Sequence, residues 1–193
     1  MPLSADFEKA LVFATRLHAY QRRKGTTTPY IAHLLAVASI VLENGGNEHE
    51  AIAALLHDAI EDQDCTPEEL RQNFGETVAA IVVGCTDTLI SVDTSDRKAS
   101  WRARKEAYIA HIRGASPSIR LVSAADKLHN ARSLLYDYHR VGEALWQRFN
   151  AGKAGVLWYY RSLVESFKAA EVTPLVEELD RVVTELCALV NAD

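Results

Sequence analysis

Four of the five prolines in this 193-residue chain directly follow a hydroxyl residue: Thr28-Pro29, Thr66-Pro67, Ser116-Pro117 and Thr173-Pro174. Such a pair starts a helix, because the hydroxyl accepts a hydrogen bond from a free first-turn amide and proline loses no donor at the first helical position. Thr66-Pro67-Glu68-Glu69 adds a glutamate at the third position and makes a capping box. Ser4 offers one more cap. Behind these starts, apolar residues recur at helical spacing: Phe7, Leu11 and Ala14; Leu34, Val37, Ala38 and Val41; Leu121, Ala124, Leu128, Ala131 and Leu135. The β-branched run at 78–83 has no partner strand in view, so it reads as a buried helix. The expected fold is all-α, a compact single-domain bundle of about ten helices over 1–193. Its helices are expected at 4–20, 28–44, 48–62, 66–74, 76–85, 97–113, 116–135, 141–150, 153–170 and 173–192, with 87–96 as a loop.

The stretch IAALLHDAIED at 52–62 carries the clearest chemistry. At about 100° per residue, Ile52, Leu55, Leu56, Ala59 and Ile60 fall on one side and His57, Asp58, Glu61 and Asp62 on the other. His57 and Asp58 can reach one ion from one helix. Glu61, Asp62 and Asp64 crowd a helix end whose free carbonyls are already partly negative, which calls for a cation. A hydrated acidic helix end satisfies the same residues, so an ion requires further donors from other helices. His33, near the start of the second helix, and Asp126, on the polar stripe Ser123, Asp126, Asn130 and Ser133 opposite an apolar face, can supply them. Each has an ordinary reading too, as a packed histidine and an exposed stripe. The basic loop at 21–25, with Arg23 and Lys24, is either solvated surface or an anion grip. The basic segment from Arg97 either lines a phosphate pocket or balances acidic neighbours. Trp158, Tyr159 and Tyr160 form an aromatic cluster that reads as core or as a ring meeting a ligand.

A formal net charge of −5 argues against general nucleic-acid binding and leaves a small anionic ligand compatible. Three cysteines with no CxxC spacing indicate neither a disulfide framework nor a thiolate metal site. No run reaches the length of a membrane span, and the amino terminus has no continuous apolar stretch of the kind that marks a secretory signal. A cytoplasmic protein is expected, with no nucleic-acid or membrane partner; self-association is left open.

In order and residue type, His33, His57-Asp58 and Asp126 resemble the H...HD...D signature of the HD-domain metal-dependent phosphohydrolases. The flanking words RRKGTTTPYIAH, ALLHDAIED and ADKLHN are similar to those of the hydrolase domain in RelA/SpoT-type proteins and the small alarmone hydrolases, over 7–135. The resemblance implies an HD-type bundle closed by helices at 141–192. It implies that His33, His57, Asp58 and Asp126 hold one divalent ion, usually manganese in that family. Mixed nitrogen and oxygen donors agree with a first-row divalent ion without choosing among Mn, Fe, Co and Zn. The resemblance further gives Glu61 and Asp62 the task of orienting or deprotonating the attacking water, and Arg23 and Lys24 that of gripping phosphates. Asn130 becomes a pocket contact, with Tyr159 as the ring taken to meet the substrate. The implied reaction is release of pyrophosphate from the 3′ position of (p)ppGpp. The alternatives are an HD phosphohydrolase for another nucleotide and a nucleotide-binding sensor without turnover. Leu34 stands where these hydrolases commonly have proline, and 87–113 departs from the alarmone pattern. The metal chemistry therefore transfers more directly than the substrate.

Overall fold

A computed structural model of the chain describes residues 3–90 and 101–192. It contains α1 (Ala5–Leu17), α2 (Ile31–Glu43), α3 (Glu48–Leu56), α4 (Ala59–Gln63), α5 (Pro67–Cys85), α6 (Asp87–Ile90), α7 (Trp101–Gly114), α8 (Pro117–Val141), a 3-10 helix (Gly142–Arg148), α9 (Gly152–Ala170) and α10 (Pro174–Ala192). The all-α expectation holds. Among the described residues the one isolated extended pairing is a single antiparallel bridge between Arg22 and Pro29.

The capping logic decides most helix starts. Ser4 accepts from the Asp6 amide, Ser116 from Ile119 and Thr173 from Val176, and Thr66 and Glu69 complete their capping box. Thr28-Pro29 behaves differently from its sequence reading. Thr28 O accepts from the Arg23 amide (2.9 Å) and Gln21 O from the Tyr30 amide (3.0 Å), so the segment closes a small clasp and α2 starts only at Ile31. The clasp ties the basic loop directly to the helix that carries His33.

Three further boundaries differ from expectation. The helix expected over 48–62 breaks at His57-Asp58, where Asp58 adopts φ −97° and ψ 3° between α3 and α4. Asp87–Ile90 forms a helical turn where a loop was expected; 91–100, including the expected start of the basic helix, lie outside the described residues. α8 continues past Leu135 to Val141, and the following segment is 3-10 rather than a helix over 141–150. The boundary expected at Asn73-Phe74-Gly75 is present as a kink, with Gly75 at φ 84° and ψ 168°, a conformation that favours glycine.

α3 is not amphipathic in place. Ala51 to Leu56 are all buried, because α1, α2, α5 and α8 surround it. α8 is also central, packing against α2, α3, α5, α9 and α10. This location turns its polar stripe inward: Asp126 and Ser123 are buried. No described helix is long and apolar enough to cross a membrane.

Candidate metal centre

The four residues singled out by spacing converge. His33 comes from the first turn of α2, His57 and Asp58 from the break between α3 and α4, and Asp126 from the middle of α8. His57 Nε2 lies 3.0 Å from Asp58 Oδ2 and 3.5 Å from Asp126 Oδ1. His33 Nε2 lies 3.1 Å from Asp126 Oδ1 and 3.6 Å from Asp58 Oδ2. Donors about 2.1 Å from a shared ion, at 90–110° to one another, stand roughly 3.0–3.4 Å apart. The four separations, 3.0–3.6 Å, come close to that requirement; His33, His57 and Asp58 form the tightest group, with ligand atoms within 4.8 Å of one another, and Asp126 joins them through its contacts with both imidazoles.

A second observation supports the fit. Both Nε2 atoms are buried and make no hydrogen bond, although carboxylate oxygens are close. Buried polar atoms are rarely left without partners, so two unpartnered ring nitrogens facing the same carboxylates suit a shared cation. His57 Nδ1 donates to Ala54 O (2.8 Å), which leaves Nε2 as the ligating nitrogen. Asp58 Oδ2 accepts from the Tyr30 hydroxyl (2.6 Å), and Asp126 Oδ1 accepts from Asn130 Nδ2 (2.5 Å). Burial alone would depress the pKa of His57, but the Asp58 and Asp126 carboxylates raise it well above the usual imidazole value. Burial opposes ionisation of Asp58, yet the neighbouring imidazoles, His57 foremost, hold its carboxyl well below the usual range. Asp126 is likewise held low against its burial, chiefly by Lys127. The centre is an anionic cage.

A narrow polar cleft opens onto it, with His57, Asp58 and Asp126 in its wall. Glu61, one turn past the break, lines this cleft with Asp87, Lys105, Lys127 and Tyr159. Glu61 Oε1 accepts from the Asp87 amide (2.6 Å). Glu61 is exposed as a residue, but its carboxyl end lies in the cleft; desolvation there and the charges of Asp87 and Asp58 push its pKa up to about 7, against the pull of Lys127 and the Asp87 amide. Lys127 pairs with Asp126, and Lys105 with Asp87. The Lys127 side chain is only 16% exposed; burial would favour its neutral form, but Asp126 outweighs this and keeps it a cation. The Tyr159 hydroxyl is buried in the wall without a partner.

The other residues singled out by sequence sit around this core in different ways. Arg23 Nη2 donates to Asn130 Oδ1 (2.6 Å), so a chain of contacts runs from the basic loop through Asn130 to Asp126. Lys24 is exposed, its ammonium 5.6 Å from the Phe149 ring. Asp62 is not among the residues lining the cleft; it is exposed and accepts from Gln21 Nε2 (2.7 Å). The sequence reading did not single out Tyr30, Asp87, Lys127 or His129; Lys105 belongs to the basic segment that it read as a phosphate-pocket wall or a balance for acidic neighbours, and it lines the cleft paired with Asp87. His129 Nδ1 lies 2.7 Å from His33 Nδ1, and its position three residues after Asp126 on one helix was the available signal.

Comparison with known proteins gives the family of the fold. A family profile described as the HD domain matches residues 10–157. A MESH1 guanosine-3′,5′-bis(diphosphate) 3′-pyrophosphohydrolase of Homo sapiens is 37% identical over 134 residues, covering 68% of this chain and 70% of that protein. A Synechocystis protein, a probable guanosine-3′,5′-bis(diphosphate) 3′-pyrophosphohydrolase, is 39% identical over 129 residues, 65% of this chain. The match spans only 16% of that longer relative. Among solved structures, a metazoan ortholog of SpoT, described as hydrolysing ppGpp, superposes with a TM-score of 0.76 at 26% identity, covering 96% of this chain and 97% of that one. The matched region holds all four converging donors, and this chain belongs to the HD-domain family.

Proposed function

We propose that the protein is a metal-dependent 3′-pyrophosphohydrolase of guanosine 3′,5′-bis(diphosphate), with His33, His57, Asp58 and Asp126 as the ligands of one Mn²⁺ and the cytoplasm as its place of action. The observation that carries the reading is the four-donor cage opening onto a cleft that pairs one elevated carboxyl, Glu61, with cations. The kind of activity is that of the relatives matched over most of the chain.

A divalent ion in the cage supplies Lewis acidity, acidifying water and drawing charge from a phosphoryl oxygen. Glu61 accepts the proton of the attacking water, because a carboxyl with a pKa of about 7 is both available as a base and able to return the proton near neutral pH. The water oxygen bonds to the phosphorus attached to the ribose 3′ oxygen, the P–O3′ bond breaks, and the 3′ oxygen takes a proton as pyrophosphate leaves. Lys127 and Lys105 face the cleft and offset charge on the phosphate oxygens. The unpartnered Tyr159 hydroxyl donates to the substrate from the wall. Arg23, held by Asn130, and Lys24 grip the outer phosphates from the clasp. Asp62 acts from outside the cleft, by anchoring α4 to the clasp through Gln21.

A phosphate-release assay over a nucleotide panel, with Mn²⁺ and with chelator, tests the proposal. Pyrophosphate should appear only from nucleotides carrying a 3′ diphosphate, and only with metal. Faster turnover of nucleotides without a 3′ phosphate would replace this substrate by another of the family's class. Binding without turnover under Mn²⁺ would make the protein a sensor.

A further inference from the structure

We propose that His129 is a positioning residue that fixes the tautomer of His33 and so presents the His33 Nε2 lone pair to the metal centre. The inference rests on His33 being a metal ligand and goes beyond it, since His129 acts on the centre only through its contact with His33.

His33 is fully buried, and its Nδ1 lies 2.7 Å from His129 Nδ1, with ring centroids 4.8 Å apart. At that distance two ring nitrogens share one hydrogen. If His33 Nδ1 donates, its Nε2 is bare and faces Asp58 and Asp126 as a ligand. If His129 donates, the neutral His33 carries its proton on Nε2 and blocks the site. For His57 the choice is made by a backbone carbonyl, Ala54 O, which can only accept. His33 has no such partner in its own helix. It is the third residue of α2, and the carbonyl three residues back, Tyr30 O, already accepts the backbone amide of His33 (2.9 Å). The acceptor arrives instead from α8, 96 residues away in sequence and one turn beyond Asp126. The same rigid helix thus delivers a carboxylate ligand and the group that sets a second ligand's protonation pattern. For this to work, His129 keeps its own proton on Nε2 and offers Nδ1 as a lone pair.

The test compares Mn²⁺ binding, read as loss of the free-ion EPR signal during titration, in wild type, His129→Phe and His129→Asn. Phenylalanine keeps a ring and removes the acceptor; asparagine keeps an acceptor oxygen near the Nδ1 position. Removing the outer partner of a ligating histidine typically costs about 10–100-fold in metal affinity. His129→Phe should show a loss of that size and His129→Asn should recover most of it. Wild-type affinity in the Phe variant, or equal loss in both variants, would overturn the proposal. If the Phe variant does not fold, the decision passes to imidazole ¹⁵N spectra of the Zn²⁺-loaded wild type. The proposal requires a protonated Nδ1 on His33 and a bare Nδ1 on His129, and the reverse pattern refutes it. Failure of the wild type to bind one equivalent of metal would remove the centre itself, a result distinct from a centre that binds but ignores His129.

Discussion

If two imidazoles and two carboxylates share one ion, metal should stabilise the fold by an amount that follows from mass action and chain length. At free Mn²⁺ a hundredfold above Kd, the folded state gains about 2.7 kcal/mol. Unfolding entropy near 2.1 cal/mol/K per residue gives roughly 0.4 kcal/mol/K for 193 residues, so Tm should rise by about 7 °C over the chelated protein. The size of this rise should depend on pH. In the chelated protein the pKa of His57 is raised, so its contribution to stability is complete below about pH 6.5 and is lost as pH rises through the elevated value. Metal binding must displace that proton. The chelated Tm should therefore fall with rising pH through that range while the metal-loaded Tm changes less, and the gap should widen. Scanning calorimetry with excess Mn²⁺ and with chelator measures both curves. Asp58→Ala, which removes one donor, should abolish the metal-dependent rise. A wild-type rise below about 1 °C, or an undiminished rise in Asp58→Ala, would refute a shared four-donor centre.

Two predictions concern the cleft. Glu61→Gln should keep the metal-induced Tm rise, since Glu61 is not a donor, and lose about 10²–10⁴ in kcat as expected for a missing proton acceptor; loss of the Tm rise as well would make Glu61 a ligand. In the wild type, kcat/KM should fall about tenfold per pH unit below about 7, where Glu61 becomes protonated. After burial, the Asp87 charge is the largest influence raising that pKa, so Asp87→Asn should move the acidic limb to lower pH. A limb that stays in place would assign the titration to another group.

The metal donors were legible because their signal is local or nearly so: an adjacent His-Asp pair, a histidine near a helix start and an aspartate on a stripe. What spacing could not supply is the depth at which a helix lies. The stripe of α8 reads equally as exposed or as reaching into a site until its neighbours enclose it, at which point Asp126 becomes buried and Lys127, about 100° around the axis, still reaches the cleft. The same limit hid Asp87. Its segment has no period, and its importance comes from an amide that meets Glu61 26 residues away. The clasp at 22–29 was missed because Thr28-Pro29 satisfies a local helix rule, while the backbone pairing that overrides it needs Gln21 and Arg23 opposite. Adjacent Glu61 and Asp62 were equivalent by spacing. In the fold, one faces the cleft and the other faces Gln21.

The break at His57-Asp58 has a physical consequence for how the chemistry is divided. On one side of it, every donor is backed by a partner from the protein: Ala54 O behind His57, Tyr30 behind Asp58, Asn130 behind Asp126 and His129 behind His33. These partners come from α3, the clasp and α8, the parts that carry the family words, so the cage is organised before any substrate arrives. On the other side, Asp87 and Lys105 come from the 87–113 segment, which departs from the alarmone pattern. Changes to the backing partners should therefore weaken metal binding and slow every substrate alike. Changes to Lys105 should leave the metal in place and alter which phosphates are accepted, because its charge meets the substrate and its contact with the cage is only indirect, through Asp87 and Glu61.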